Sequence, residues 1–96
     1  MQPIALEFSE GHYVHRQIRR EGMLAIYEQR HKDADVRRYE VVRLHIQRAR
    51  TWPNGQTTPE QEVYPSPSAW GSAGWTCFTL LEAEALFADL QKETPA

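Results

Sequence analysis

Three stretches between residues 12 and 47 alternate apolar and polar positions, as half-buried β-strands do. They read YVHRQIRR from Tyr13, MLAIYEQR from Met23 and RRYEVVRLHIQ from Arg37. The Glu21-Gly22 pair separates the first two stretches, and the polar run HKDADV precedes the third. Because glycine readily takes the positive φ that a tight turn needs, this order predicts an antiparallel β-meander over residues 12–47.

The same alternation predicts which side chains share a face of the sheet. We take Glu21-Gly22 as a two-residue loop and place Arg30 opposite Arg37, which puts Ala25 opposite both Ile18 and Val42. The larger apolar set then lies on one face, which we expect to be the core: Val14, Ile18, Met23, Ala25, Tyr27, Val42, Leu44 and Ile46.

The opposite face combines an apolar centre with a basic and aromatic rim. Its members are Tyr13, His15, Gln17, Arg19, Leu24, Ile26, Tyr39, Val41, Arg43 and His45. Something must cover the apolar centre, because a contiguous exposed apolar patch is uncommon in a monomer. The cover is the tryptophan-rich loop, a partner protein or a second copy of the chain.

The segment from Phe78 onward carries the signals of an amphipathic helix. Thr79 and Glu82 have the spacing of a capping box, and Phe78 occupies the position of a hydrophobic staple. The apolar positions that follow recur at i, i+3, i+4 and i+7: Ala83, Leu86, Phe87 and Leu90. The pattern predicts a helix over residues 79–91, packed on the core face of the sheet, with the tail KETPA frayed.

The remaining segments are less regular. Residues 1–11 form an irregular or edge-pairing arm, and residues 48–76 form an irregular connection holding four of the six prolines. Within the connection, Ser66–Gly71 predicts one helical turn and Gly74–Phe78 predicts a short strand. The whole chain, residues 1–96, is therefore predicted as one α+β domain. It has an antiparallel sheet of three to four strands, a C-terminal helix on one face and a long Trp- and Pro-rich connection.

Composition places the chain among small globular proteins. It has 96 residues, of which 41% are hydrophobic and 25% are charged. The sequence has no apolar run long enough to span a membrane, and its start, MQPIALEFSE, lacks a secretory signal pattern. The single cysteine, Cys77, cannot form an internal disulfide. We therefore expect a cytoplasmic protein that does not contact a membrane.

Charge is distributed unevenly along the chain. The formal net charge is −2, yet ten of the eleven Lys and Arg residues fall between Arg16 and Arg50. Such clustering is typical of basic strands facing water, and alternatively of a basic face that binds an anionic partner.

The candidates for catalysis and metal binding are few. Cys77 lies near the predicted helix start, but a small buried cysteine is commonly structural. His12 and His15 have a His-x-x-His spacing, which on a strand directs the two side chains to opposite faces. The glycines form no phosphate-binding motif. We expect no enzyme activity, no cofactor and no metal site.

Binding is the remaining function class. We expect a non-catalytic interaction module that contacts an unidentified protein or forms a homodimer, because Trp, Tyr and Arg dominate many interfaces. The alternative is a nucleic-acid-binding accessory domain that uses the basic and aromatic sheet face. The candidate binding surface comprises Tyr13, Arg19, Tyr39, Arg43, Arg48, Arg50, Trp70 and Trp75. Trp70 and Trp75 are expected to cover the core, with exposure of one ring left open.

Overall fold

A computed structural model gives the structure of the protein for residues 2–93. Its elements are β1 (Glu7–Glu10), β2 (Tyr13–Glu21), β3 (Leu24–His31), β4 (Arg37–Arg43), β5 (His45–Gln47), β6 (Arg50–Thr51), β7 (Thr57–Thr58), β8 (Gln61–Val63), a 3-10 turn (Pro67–Ala69), β9 (Gly74–Cys77) and α1 (Leu80–Glu93). The main sheet has five antiparallel strands in the order β1-β2-β3-β4-β9. The predicted α+β class is confirmed.

The sheet is wider than the three to four strands predicted. The additional edge strand, β1, comes from the N-terminal arm and pairs with β2, so the arm is edge-pairing rather than irregular at Glu7–Glu10. Gly11 and Gly22 have φ of +60° and +59° in the turns that lead into β2 and β3. Both turns therefore use the left-handed backbone that glycine adopts without steric cost.

The first predicted hairpin register is wrong, for two reasons. Glu21 pairs with Leu24, so the turn is Gly22-Met23 rather than Glu21-Gly22. In addition, Ile18 is an extra residue in β2, inserted between the pairs Gln17–Tyr27 and Arg19–Ile26. At this β-bulge the alternation of side chains between the two faces of β2 shifts by one residue. Regular alternation therefore predicts the wrong face for the residues on one side of the bulge.

The second predicted hairpin is confirmed, since Arg30 pairs with Arg37 and Ala25 with Val42. The predicted position of the helix is wrong. Helix α1 packs on the face that we name the Phe87 face, whose buried core is Leu24, Ile26, Val41, Cys77, Ala83, Phe87 and Leu90. The helix is thus the cover of the apolar centre that the sequence left unassigned. Because β3 and β4 are apolar on both faces, alternation alone cannot choose between them.

The opposite side of the sheet, which we name the Tyr27 face, is also buried. Its core consists of Ala25, Tyr27, Val42 and Leu44. The cover comes from the N-terminal arm and the connection: Ile4, Phe8, Tyr64 and Trp70 pack against this core with Met23. Three members of the predicted core face lie elsewhere: Val14 pairs with Arg30 on the side of the sheet opposite Tyr27, Ile18 packs toward the Phe87 face, and Ile46 is 44% exposed.

Helix α1 begins as predicted and extends two residues further. The Thr79 hydroxyl accepts a hydrogen bond from the Glu82 N–H at 3.1 Å. Phe78 is 71% exposed, so the predicted hydrophobic staple is wrong. The helix continues to Glu93, and the rest of the predicted frayed tail lies outside the described residues. Among residues 2–93, no helix combines the length and apolar character that crossing a membrane requires.

The connection contains more pairing than the irregular loop predicted. Strand β5 pairs with β8, and β6 pairs with β7, in two small separate sheets. The predicted helical turn is a 3-10 turn at Pro67–Ala69, and the predicted short strand is β9. This folded connection holds Tyr64 and Trp70 over the Tyr27 face.

A candidate binding pocket on the Tyr27 face

An open pocket of about 540 Å³ lies between the Tyr27 face and the Tyr64–Trp70 segment of the connection. We name it the Tyr64 pocket. It is lined by Glu10, Tyr13, His15, Gln29, Glu40, Tyr64, Pro65, Pro67 and Trp70. The lining residues come from four strands and the connection, so pairing between distant segments creates the pocket.

Strand pairing places three polar side chains at the base of the Tyr64 pocket. His15 in β2 lies directly opposite Gln29 in β3, and Glu40 in β4 lies opposite Tyr27. Residues directly opposite in antiparallel strands point to the same face. In a regular strand the side chains of His15 and Arg19 would point to the same face. The bulge at Ile18 shifts the alternation by one residue, so the two side chains point to opposite faces.

These three side chains and Tyr64 form a connected polar network. The Tyr64 hydroxyl donates to Glu40 Oε1 at 2.5 Å, and His15 Nε2 lies 3.3 Å from the same oxygen. The Gln29 Nε2 atom is also 3.3 Å from His15 Nε2. His15, Gln29 and Glu40 are only 3%, 9% and 8% exposed. Four polar groups are therefore held together in a largely desolvated place.

The network leaves two buried polar atoms without a partner among the described residues: His15 Nδ1 and Gln29 Oε1. A protonated His15 Nε2 donates to Glu40, whereas a bare Nε2 accepts from Gln29. In both tautomers Nδ1 and Oε1 lack a bond from the protein. A buried polar atom left unpaired costs about 1–3 kcal/mol, so native proteins rarely keep one without a role.

Aromatic rings form the sides of the Tyr64 pocket and fix its polar base. Phe8 stacks on His15 with ring centroids 4.6 Å apart and planes 4° from parallel. Tyr64 meets Phe8 and Tyr27 edge-on, at 5.4 Å and 5.2 Å, and lies 6.4 Å from Trp70. These contacts are of the edge-to-face and stacked kinds that aromatic side chains favour.

Trp70 is positioned by two contacts with β9. Its indole N–H donates to the Thr76 hydroxyl at 3.0 Å. Its ring lies directly against Gly74, where a Cβ atom would stand 2.5 Å from the ring. The absence of a side chain at residue 74 is therefore what lets Trp70 lie flat against the sheet.

Acidic groups dominate the electrostatics around Tyr64. Burial raises the pKa of Tyr64 well above its ordinary value, and the nearby Glu40 and Glu10 carboxylates raise it further. The phenol consequently stays protonated and remains a hydrogen-bond donor to Glu40. Arg38 lies opposite Gln29, and its guanidinium carbon is 4.8 Å from the centroid of the Tyr13 ring.

Comparison with known proteins finds no matching family model, no matching curated protein and no matching solved structure. The geometry of the Tyr64 pocket therefore carries the functional argument. That geometry offers acceptor-rich polar atoms at the base, aromatic sides and an open mouth, a combination typical of ligand sites.

The structure does not bring the sequence-predicted surface together. Tyr13 and Trp70 line the Tyr64 pocket. On the other side of the sheet, Tyr39 and Trp75 pack against the core of the Phe87 face. The two predicted tryptophans thus cover opposite faces of the sheet, and both are half-buried.

The predicted arginines are also dispersed. Arg19 lies over the Phe87 ring at 4.5 Å, and Arg43 approaches Glu93 of α1 at 3.7 Å. Arg48 is exposed beyond β5, and Arg50 lies over the Trp52 ring at 4.0 Å. The single basic and aromatic face predicted from alternation is wrong, because the bulge in β2 divides its members between the two sides of the sheet. Tyr13, His15 and Gln17 lie on the Tyr27 face, whereas Arg19, Tyr39 and Arg43 lie on the side that α1 covers.

Sequence reasoning missed the four network residues: His15, Gln29, Glu40 and Tyr64. It weighed His15 only as a metal ligand. The signal available was the polar character of Gln29 and Glu40 at positions of the same parity as Tyr27 and Val42, which are buried. A polar residue among apolar positions of one strand face indicates a buried polar site.

Proposed function

We propose that this chain is a non-catalytic interaction module that binds a partner protein through the Tyr64 pocket. The observation that carries the proposal is the pair of buried atoms, His15 Nδ1 and Gln29 Oε1, unpartnered at the base of an aromatic-sided pocket. Concave sites with apolar walls and a few convergent polar groups are the usual form of binding sites. Tyr13, Tyr64 and Trp70 supply the side-chain types that contribute most to recognition.

The absence of catalysis is part of the proposal and has separate support. Burial raises the pKa of the Cys77 thiol, with the Glu82 charge adding to the effect, which disfavours the nucleophilic thiolate. Cys77 is also free and buried, which suits a reducing, cytoplasmic setting.

Self-association is a second candidate, favoured by a different surface. Phe78, Leu80 and Leu81, at the start of α1, are 71%, 40% and 79% exposed. Exposed apolar side chains that lie close together mark many subunit contacts. Sedimentation velocity over a range of concentrations tests this candidate: a dimer that dissociates in Leu81→Ser but persists in Glu84→Gln supports it, and a monomer throughout rejects it.

Nucleic-acid binding is the weaker alternative. It depended on arginines and aromatic residues sharing one open sheet face, and Arg19, Arg43 and Arg50 contact Phe87, Glu93 and Trp52 respectively instead. This alternative is tested with a labelled single strand at low salt. Binding that is lost in the double variant Arg19→Glu, Arg43→Glu would support nucleic-acid binding as the function.

The proposed function is tested by nuclear magnetic resonance of the ¹⁵N-labelled protein, titrated with a set of capped single amino acids. We expect some members to shift the Trp70 indole N–H signal together with the backbone signals of His15 and Gln29. The indole signals of Trp52 and Trp75 lie elsewhere in the fold and serve as internal controls.

A matched pair of variants locates the response. Trp70→Ala removes one side of the Tyr64 pocket and should abolish the shifts at His15 and Gln29, whereas Trp52→Ala should leave them unchanged. If no capped amino acid shifts the pocket signals, or if the shifts persist in Trp70→Ala, the Tyr64 pocket is not the binding site.

A further inference from the structure

The polar atoms that line the Tyr64 pocket are predominantly hydrogen-bond acceptors. Glu10 and Glu40 contribute carboxylates, and Gln29 turns its Nε2 toward His15, which leaves Oε1 unpartnered. The Tyr64 hydroxyl donates its one hydrogen bond to Glu40, so its oxygen can only accept from a ligand. A ligand that matches this lining is therefore rich in N–H or O–H donors.

The charge of the pocket lining further restricts the chemical class of the ligand. The carboxylate residues Glu10 and Glu40 line the pocket, and the guanidinium of Arg38 lies beside it, against the Tyr13 ring and opposite Gln29. Burial strengthens the field of Glu40, whose side chain is 10% exposed, relative to a carboxylate in water. Two carboxylates against one guanidinium favour a positive ligand over a neutral or negative one.

The aromatic sides suit the same kind of ligand. Tyr64 and Trp70 line the pocket, and aromatic rings attract cations at distances up to about 6 Å from the ring centre. Pro65 and Pro67 provide apolar surface beside them, on which the methylene stem of a long side chain can pack. The molecule itself holds three arginines over aromatic rings, at 4.5, 4.8 and 4.0 Å.

We propose that the group bound in the Tyr64 pocket is the guanidinium or ammonium group of an arginine or lysine side chain on a partner protein. This inference depends on the proposed function, because it names the chemistry of the ligand at the same site. The N–H donors satisfy Gln29 Oε1 and the carboxylates, and the positive charge faces the Tyr64 and Trp70 rings.

The experiment compares two capped residues of nearly the same shape, one charged and one neutral. N-acetyl-arginine methylamide and its citrulline counterpart have the same length and a planar end group, but citrulline is neutral and carries a carbonyl acceptor where arginine has an NH₂ group with two N–H donors. The Trp70 indole signal is followed during titration with each. We expect the arginine compound to bind with a dissociation constant on the order of 1 mM. The citrulline compound should bind at least about tenfold more weakly, because charge-assisted hydrogen bonds are about twice as strong as neutral ones.

Variants of the acidic residues test whether the lining causes this preference. Glu40→Gln keeps an acceptor for the Tyr64 hydroxyl and should bring the arginine-to-citrulline affinity ratio close to one. Glu10→Gln changes an exposed residue, leaves the core unaltered and should lower the ratio several-fold. Glu84→Gln, the same chemical change on the solvent side of α1, should leave the ratio as in the wild type.

The possible failures separate the two proposals. Equal binding of arginine and citrulline, or tighter binding of citrulline, overturns the cation inference while leaving the Tyr64 pocket as a binding site. If neither these compounds nor capped lysine shifts the Trp70 signal but a capped residue without a positive charge does, the inference again falls alone. If no capped residue shifts it, both proposals fall. Equal affinity for butylguanidinium and the peptide Ala-Arg-Ala would overturn the assignment to a partner protein, since a partner chain adds contacts beyond the cation.

Discussion

Gly74 supports the Tyr64 pocket by having no side chain. The Trp70 ring occupies the space next to Gly74, so a Cβ atom at residue 74 would stand 2.5 Å from the nearest ring carbon. Gly74 does not have the positive φ that favours glycine. Gly74 is thus required for close approach, whereas Gly11 and Gly22 are required for turn geometry. A rigid, half-buried indole makes room for a methyl group only at a cost in packing, unlike the end of a flexible side chain.

Gly74→Ala should therefore displace Trp70 and destabilise the fold by about 1–3 kcal/mol, the usual cost of overpacking. The measurement is the free energy of unfolding in urea, with near-ultraviolet circular dichroism to follow the indole. In a Trp70→Ala background the added methyl group meets no ring, so its cost should disappear. An equal cost in both backgrounds would mean that the methyl group clashes with something other than Trp70.

At the scale of elements, the main sheet is the middle layer between a helix on one side and an arm with a folded connection on the other. Residues 24–27 of β3 and 40–42 of β4 are buried without interruption, which reflects burial on both faces. Phe87 is fully buried at the centre of the α1 contact and lies beneath the Arg19 guanidinium. The helix is consequently held by its own apolar stripe rather than by its ends.

Phe87→Ala should destabilise the protein by about 3–5 kcal/mol, through lost burial and the cavity left in the Phe87 face. Leu81→Ala is the matched control on the same helix, since Leu81 is 79% exposed and its truncation should change stability by less than about 0.5 kcal/mol. Urea unfolding of both variants provides the comparison. Similar losses would contradict the orientation of α1 described above.

Thr79→Ala removes the acceptor for the Glu82 N–H and should cost about 1 kcal/mol. Thr57→Ala removes the hydroxyl of an exposed threonine in β7 that does not cap a helix, and it should reduce the free energy of unfolding by less. Thermal unfolding of the two variants is followed by circular dichroism in the helical band. No difference between them would show that Thr79 does not stabilise the helix start.

Local signals predicted the elements well, and long-range pairing explains what they missed. The cap at Thr79, the stripe ending at Leu90 and the Arg30–Arg37 register each depend on residues close in sequence. The choice of face for α1 does not, because both faces of β3 and β4 are apolar. The polar network is harder still, since His15, Gln29, Glu40 and Tyr64 lie in four separate segments. Nothing in any one segment indicates that they meet.

At the scale of the whole molecule, Glu62 joins three parts of the chain. Its two carboxylate oxygens accept from Arg20 of β2 at 2.7 Å and 2.6 Å, in the paired geometry typical of arginine and carboxylate. The same side chain accepts from the Ile4 N–H at 3.1 Å, and Gln2 pairs with the backbone on either side of Gln61. The arm, the sheet and the connection therefore share one anchor.

This anchor should make stability sensitive to acid. Hydrogen bonds from Arg20, aided by the Ile4 N–H, lower the pKa of Glu62 from 4.5 to about 2. Because the folded-state pKa is the lower one, the contribution to stability is complete above pH 4.5 and is lost as the pH falls toward 2. The difference in unfolding free energy between wild type and Glu62→Gln should shrink over that interval. Glu60→Gln, an exposed neighbour, is the control, and a difference independent of pH would contradict the role given to the Arg20 pair.

The bulge at Ile18 also determines where β2 can lose a residue without changing the faces of the other residues. Removing Ile18 would leave Gln17 opposite Tyr27 and Arg19 opposite Ile26 as successive, regularly alternating pairs. Every other residue of β2 would keep its face, and His15 would stay at the base of the pocket, at the cost of the contacts that Ile18 makes. A deletion in the middle of a strand usually inverts one half of it. A related chain that is one residue shorter here can accordingly keep the same site, and an alignment that treats the gap as a broken strand would overlook it.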